Sequence, residues 1–384
     1  MVGFAIKLKN ASLMNGYPSP HASIARPLRI LEVGGYEFFS LVAPDQTDLL
    51  WACDKPRNRV QSALGPIKYL SALAKLRRGE YDLVVIHASQ YAPWHPRTVV
   101  TILSNWHIRW PLGLFARFAW RFMHICHNVP IVAVDLDDPC LIGRHNFFLL
   151  KCSKAFYKRE LPSDHWLVFC RSGYPTYPGR RWRTKKRYIE MVNRLRPISY
   201  GHVLMDSEIG LIENGSVPTE KTVDVFFSGA IAGNSTARSA GVVELETLKR
   251  EGYIIDIPNE RLTRPEFLRR MSKAWLAWSP AGLGWDCSRH YEAALSTTVP
   301  LINFPNILRD VPLMDGKHCV FYPPEPGGLT EAVKRSLANK SRLHEMALAA
   351  HAHVKNHHSI RARAERVAVA VLGRRLDGTP AESK

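Results

Sequence analysis

The chain has 384 residues, of which 46% are apolar and 22% charged, which suits two globular domains of ordinary size. No run of about 18 uncharged apolar residues occurs, so no membrane-crossing helix is expected. Lys and Arg outnumber Asp and Glu by 52 to 34, giving a net charge of +18, a field that attracts phosphates, nucleic acid or an anionic membrane surface. The seven cysteines (Cys53, Cys126, Cys140, Cys152, Cys170, Cys287 and Cys319) are odd in number, irregular in spacing and free of any CxxC pair. They read as reduced thiols of a cytoplasmic protein, not as a disulfide framework or zinc site. The sixteen histidines form no HExxH-type pair, so no metal site is expected.

Residues 1–27 mix Asn, Pro, Ser and His with short apolar pieces and read as a loose leader with no secretory signal. Leu28 to Val33 is expected as a first buried strand, ending at Gly34-Gly35; the sequence GGYEFF that follows lacks the full GxGxxG fingerprint. Ile67 to Arg78 has helical periodicity, and Tyr81 to His87 is a second strand, so the alternation implies a parallel sheet. Thr98 to His127 interleaves Trp106, Trp110, Phe115, Phe118, Trp120 and Phe122 with Arg109, Arg117 and Arg121. That pattern fits helices lying in an anionic membrane interface, or a core-packing pair with snorkelling arginines. Val129 to Asp138 is another strand with Asp135, Asp137 and Asp138 at its carboxyl end, where ligands bind in open α/β sheets. Helix capping and turn formation before Pro139 is the competing role for these carboxylates. Leu167 to Cys170 reads as one more short strand. Arg171 to Arg196 holds nine basic residues and one acid, Glu190; it suits a pyrophosphate, a lipid headgroup or nucleic acid, or is a solvated loop.

Asn214 to Lys221 marks the domain boundary. Val223 to Ser228 is then a strand ending at Gly229, and the loop to Arg238 is rich in Gly, Asn, Ser and Thr, a candidate anion cradle. Tyr253 to Ile257 is a strand, and Arg264 to Trp275 a helix with Pro265 near its first position. Ser279 to Phe304 reads as turn, helix, turn, strand. Gly282 and Gly284 permit a tight turn and close approach of a ligand, and Asp286 or Ser288 can cap the helix. Arg289 and Glu292, three residues apart, share a face. A helix N-terminus with a nearby arginine suits a phosphate, and a carboxylate one turn on suits a ribose diol. Lys317 to Tyr322 is a short strand. Helices over about 328–339 and 341–355, a break at His357-His358-Ser359 and a last helix over Ile360 to Leu372 close the domain. The tail from Arg374 reads as disordered.

Ser288, Arg289, Tyr291, Glu292, Ala293 and Val299 to Ile302 resemble the donor-site segment of nucleotide-sugar glycosyltransferases of the two-domain GT-B type, closest to exostosin-like and spore-maturation-like members. Two departures stand out. Pro300 occupies the place of the second Glu common in retaining enzymes, and Thr297-Thr298 a turn where the family usually has Gly. Cys152 to Leu161, with Lys158-Arg159 as its basic element, is similar to a segment near the cleft in that group, and the strand–Gly–loop–Arg pattern from Gly229 to Arg238 has a counterpart there. Asp135-Leu136-Asp137 also matches the metal-binding DxD of GT-A enzymes, but the C-terminal segment argues against that architecture.

The resemblance implies an α/β protein of two Rossmann-like domains facing a cleft: an acceptor domain over 28–214, a donor domain with closing helices over 215–372, and the tail 373–384. It implies transfer of a sugar from a nucleotide-diphosphate sugar to the hydroxyl of a glycan or lipid-linked acceptor, without cofactor or metal. Gly229, Arg238, Gly282, Gly284, Ser288, Arg289 and Glu292 would hold the donor, Arg289 at the diphosphate and Glu292 at the ribose or sugar hydroxyls. Asp135, Asp137 and His87 are candidates for the base. The protein is expected in the cytoplasm, with peripheral membrane contact through Thr98 to His127. Two other readings fit the same residues: a basic nucleic-acid-binding protein, though no motif supports it, and an inactive GT-B-like scaffold, for which the absent second Glu argues.

Overall fold

The computed structural model describes residues 26–51, 65–88, 129–170, 189–202, 220–231 and 236–381. The readings placed on the leader, on Thr98 to His127, on the densest part of the basic run (171–188) and on the boundary at 214–219 lie outside these residues, as do Cys53 and Cys126.

The first half of the chain builds one sheet. Its strands are β1 (Ile30–Gly34), β2 (Thr47–Trp51), β3 (Leu83–His87), β4 (Ile131–Asp135), β5 (Ala155–Lys158) and β6 (Leu195–Pro197). They lie in the order β2-β1-β3-β4-β5-β6, and every pair is parallel. The second half builds a parallel sheet ordered β11-β10-β9-β7-β8, from β7 (Val223–Phe226), β8 (Ile255–Asp256), β9 (Ala274–Trp278), β10 (Val299–Asn303) and β11 (Val320–Tyr322). Strands that are buried from end to end, such as β1, β3, β4 and β10, need helices on both faces, which is why they read as continuous apolar runs. Among the described residues these helices are α1 (Phe39–Val42), α2 (Gly65–Arg77), α3 (Phe147–Cys152), α4 (Ile189–Val192), α5 (Thr236–Arg250), α6 (Arg264–Ser272), α7 (Ser288–Leu295), α8 (Gly328–Leu337), α9 (Lys340–His357) and α10 (Ile360–Leu372). Two Rossmann-like α/β domains result, as the sequence led us to expect.

The first domain's two core layers follow from strand alternation. Leu31, Val33, Val84, Ile86 and Phe156 face α2 and α3. Ile30, Leu83, Val85, Val132 and Val134 face the other way, onto Ala364, Val367, Ala368 and Val371 of α10. The chain's last helix therefore completes the core of its first domain. Ser359 starts it by accepting from the Ala362 N–H, after α9 has ended at His357.

Two expectations fail here. Leu167 to Cys170 is not a strand but the end of a 3-10 turn over His165–Phe169, which Asp164 caps by accepting from the Trp166 N–H. The segment from Arg374 to Ala381 is not loose. Leu376 is buried, its carbonyl accepts from the Leu28 N–H, and Arg374 pairs with Asp82, so the tail runs alongside the start of β1. Four strands went unforeseen, at Thr47–Trp51, Ala155–Lys158, Leu195–Pro197 and Ala274–Trp278. The five cysteines among the described residues are free thiols, in agreement with their irregular spacing. Among the described residues no helix is long and apolar enough to cross a membrane.

The turn from α7 to β10 places Thr297 at φ +51°, in the left-handed region that a β-branched residue disfavours. Lys221 reinforces it, donating to the Ser272 and Thr297 carbonyls. Thr297→Gly is expected to stabilise the protein by about 0.5–1 kcal/mol. A rise in the midpoint of calorimetric unfolding checks this; a fall would mean that the turn is unstrained.

Candidate active site

Two loops of the second domain converge on a pair of arginines. The first leaves β7 at Gly229; Arg238 follows in the first turn of α5, inside the helix and not in the loop that precedes it. The second leaves β9 and runs from Ser279 to the start of α7. Arg238 donates to the carbonyls of Ala230, on the first loop, and Ala281, on the second. Arg289, in the first turn of α7, lies with its guanidinium 5.4 Å above the Phe227 ring. Its Nη1 is buried and has no hydrogen-bond partner among the described residues. Burial pushes the Arg238 guanidinium down in pKa, and the neighbouring Arg289 charge pushes it further. Two like charges held together in this way leave room for an anion.

The glycines explain how the arginines fit. A Cβ at Gly229 would lie 2.7 Å from Arg289 Nη2, and one at Gly282 would lie 2.5 Å from Arg238 Nη2. At both positions glycine lets the guanidinium group lie where a side chain would otherwise displace it. Gly284 has a different role from the ligand approach expected of it: its Cβ would collide with Glu160 Oε1 at 2.5 Å, a residue of the first domain.

Helix α7 starts without a side-chain cap. Its N-cap is Cys287, which makes no capping hydrogen bond, so the helix N-terminus keeps its attraction for negative charge. Neither residue proposed as a cap serves: Ser288 is already helical, and Asp286 is engaged elsewhere, accepting from the Tyr291 hydroxyl and the Tyr200 N–H. Glu292, 3% exposed, pairs with Arg264 of α6 at 2.7 Å. The structure thus brings Gly229, Arg238, Gly282 and Arg289 together around one point, with Ser288 beside Arg289, and turns Glu292 toward α6.

Sequence reasoning missed a buried group in the same loop. Ser279 Oγ lies 2.7 Å from His290 Nδ1, His290 Nε2 donates to the Trp285 carbonyl at 2.8 Å, and Cys287 Sγ lies 3.6 Å from His290 Nδ1. Burial pushes the Cys287 thiol up, but His290 and Arg289 outweigh it and bring the group down to about 6. Scattered small polar residues give no periodic signal by which this cluster could be found.

Across the cleft stand the carboxyl ends of β1, β3 and β4. His87 is fully buried, its Nε2 2.8 Å from Glu32 Oε1. Glu32 also accepts from the N–H groups of Phe38, Phe39 and Ser40; burial alone would raise its pKa, but His87 and these donors bring it down. His87 thus braces the loop after β1 and has no exposed side-chain surface. Asp135 is also buried, in an ion pair with Lys158 at 3.1 Å. Asp137 is only half-buried and accepts from the Tyr36 hydroxyl at 3.1 Å. Burial first, then the Asp135 charge, push its carboxyl up to about 7, against the pull of Lys158 and Tyr36. Of the three base candidates, Asp137 alone joins access with a pKa suited to proton transfer near neutrality.

The two sides are joined by Arg159 and Glu160, at the end of β5. Arg159 donates to the Leu136 carbonyl and Asp138 on its own domain, and to the Asp286 carbonyl on the other. Glu160 accepts from the N–H groups of Trp285 and Asp286 at 2.8 and 2.9 Å. Burial raises its carboxyl to about 7, while Arg159 and the two N–H donors work against the rise.

No family model matches this chain, and no curated protein does. Solved structures do resemble it. An alpha-glucosyltransferase in complex with UDP and a 13-mer DNA is 12% identical, with a TM-score of 0.49 over 90% of this chain and 99% of that one. An alpha,alpha-trehalose-phosphate synthase (UDP-forming) from Burkholderia vietnamiensis is 11% identical, with a TM-score of 0.47 over 89% and 99%. HepE of Anabaena in complex with UDP is 12% identical, with a TM-score of 0.46 over 89% and 99%. At these values the likeness goes no further than chain arrangement, which the two parallel sheets display by themselves.

Glu160→Ala should leave two buried N–H groups without an acceptor, each costing about 1–3 kcal/mol. The expected result is a lower unfolding midpoint and faster hydrogen exchange at Trp285 and Asp286, with Glu160→Gln milder. Unchanged exchange at those two amides would show that the loop is held without the clasp.

Proposed function

We propose that this protein transfers a sugar from a nucleotide-diphosphate sugar to an acceptor hydroxyl. The observation that carries this reading is the pair Arg238 and Arg289, seated against Gly282 and Gly229 beside an uncapped helix N-terminus, with one buried nitrogen of Arg289 unpaired among the described residues. A diphosphate supplies what that arrangement lacks: negative charge spread over several acceptor oxygens. Glu292, whose Oε1 is held by Arg264, would offer its other oxygen to hydroxyls of the ribose or sugar.

Asp137 is the proposed base. It takes the proton of the acceptor hydroxyl as that oxygen attacks the anomeric carbon and the bond from that carbon to the diphosphate oxygen breaks. Arg238, Arg289 and the head of α7 stabilise the leaving diphosphate, a role that in other transferases falls to a metal ion. Ser288, Arg289, Tyr291, Glu292 and the run Val299 to Ile302 support a place among exostosin-like and spore-maturation-like transferases. The aromatic and arginine residues of Thr98 to His127 favour a lipid-linked or polysaccharide acceptor met at a membrane surface.

Calorimetric titration with a panel of nucleoside diphosphates tests the donor site. Arg289→Ala should weaken binding on the order of 10–100-fold while the protein stays folded; unchanged affinity would remove the assignment. Glu292→Gln should lower turnover, and because it also breaks the pair with Arg264 its melting temperature must be measured alongside.

The base has its own signature. Asp137 works only when ionised, so turnover should rise with pH through about 7 and then level off. Asp137→Asn should reduce kcat roughly 10²–10⁴-fold with nucleotide affinity retained. A profile flat from pH 5.5 to 8.5, or an active Asn variant, would rule out this role.

A further inference from the structure

A cavity of about 590 Å³ lies between the end of the first sheet and α10, away from the paired arginines. That volume is typical of small-molecule sites. Its walls are mostly apolar, formed by Pro197 and Ile198 at the end of β6 and by Val367, Val369 and Ala370 on α10. The polar groups gather at its edge. Asp310 of the second domain is neutralised there by Arg366, at 2.6 Å, and Glu365 accepts from the Leu376 N–H.

The remaining charge at the edge is positive. Four arginines line the cavity, Arg196, Arg363, Arg366 and Arg375, against the two acids Asp310 and Glu365. Arg196 spends one nitrogen on the carbonyls of Asn193 and Leu195, and neither Arg196 nor Arg375 has an ion pair among the described residues. Tyr157 adds a hydroxyl. Burial and the Asp310 charge push its pKa up, so it stays protonated and able to donate. An apolar floor with two guanidinium groups that have no ion pair among the described residues, and a hydroxyl donor beside them, matches a molecule that is apolar at one end and anionic at the other.

We infer that this cavity is a second binding site, for an amphiphilic anion with one carboxylate or phosphate on an apolar chain, held at Arg196, Arg375 and Tyr157 with its apolar part on Ile198, Val367 and Ala370. Asp310, from the second domain, stands at the edge of this cavity, while the groups assigned to the ligand all belong to the first domain and the helix and tail packed on it. Nothing in this inference depends on the sugar-transfer reading.

Titration of the full-length protein, below the micellar concentrations of the probes, tests it. Decanoate and decyl phosphate should each saturate one site. Decanol should bind at least about tenfold more weakly, and inorganic phosphate alone should not bind, as expected where burial and a charge-assisted hydrogen bond are both required. Arg196→Ala combined with Arg375→Ala, both on the exposed rim, should weaken the two anions about tenfold and leave decanol unaffected. Ala370→Trp, which sets an indole in the cavity, should abolish binding of all three amphiphiles without changing affinity for nucleoside diphosphates. Absence of binding by both anions, decanol as tight as decanoate, or undiminished binding in Ala370→Trp would overturn the proposal. Loss of nucleotide binding in Arg289→Ala with decanoate binding intact separates this site from the donor site.

Discussion

One buried carboxylate holds the working parts of this molecule in register. Glu160 belongs to the first domain, just after β5, yet both of its oxygens are taken by backbone N–H groups of the second domain, at Trp285 and Asp286. A carboxylate in such a place is stabilised by its donors and destabilised by its burial, and its elevated pKa records that balance. Arg159 beside it completes the contact from the opposite polarity, donating to the Asp286 carbonyl. The loop that carries Gly282 and leads into α7 is therefore positioned by a residue from across the cleft. Donor and base candidates sit on different domains, and the contacts of Arg159 and Glu160 link the two.

Close packing around this loop explains most of its composition. Gly284 is glycine because Glu160 reaches under it. Glycine at 229 and 282 leaves guanidinium groups the space where a Cβ would stand. Asp286 is occupied by Tyr291 and Tyr200, and Trp285 donates its indole N–H to the Asn303 carbonyl, so neither residue is left for a ligand. Once the loop is pinned in this way, Nη1 of Arg289 and the uncapped head of α7 are left to meet an anion, with Arg238 alongside. Binding an anion there requires little reordering, which is the condition under which a preorganised site is most effective.

Most of the fold was legible because it rests on period-2 burial and continuous apolar runs. The strands at Leu28 to Val33, Tyr81 to His87 and Val299 to Ile302 announced themselves through β-branched and leucine-rich composition. The missed strands at Ala155–Lys158 and Leu195–Pro197 are short and carry Lys158 and Arg196, polar residues that a local reading assigns to loops. The tail was misread for a similar reason: Arg374, Asp377 and Gly378 look like disorder until Leu376 is seen in the core. At the site, the arginines and glycines were visible as residue types, but their partners were not. No sequence pattern tells that Gly284 faces a glutamate 124 positions away, that Glu292 turns to Arg264, or that His87 is a core residue bonded to Glu32.

The acid–base assignment shows why the partners matter. Asp135 and Asp137 are two residues apart at the end of one strand, and by type they are interchangeable. Their surroundings are not. Asp135 points inward, where Lys158 neutralises it and its Oδ1 accepts from the Asp137 N–H; it is spent on holding the turn. Asp137 points into the cleft, with a tyrosine hydroxyl as its partner and the Asp135 charge behind it. Burial first, and then that nearby negative charge, disfavour ionisation, so the proton is bound more tightly at Asp137 than at an ordinary carboxylate. A pair of acids made unequal by environment is how a protein obtains one structural carboxylate and one that exchanges protons near neutral pH. Lys158, fully buried, pairs with Asp135 at 3.1 Å and pulls the Asp137 carboxyl down, but by less than burial and the Asp135 charge push it up.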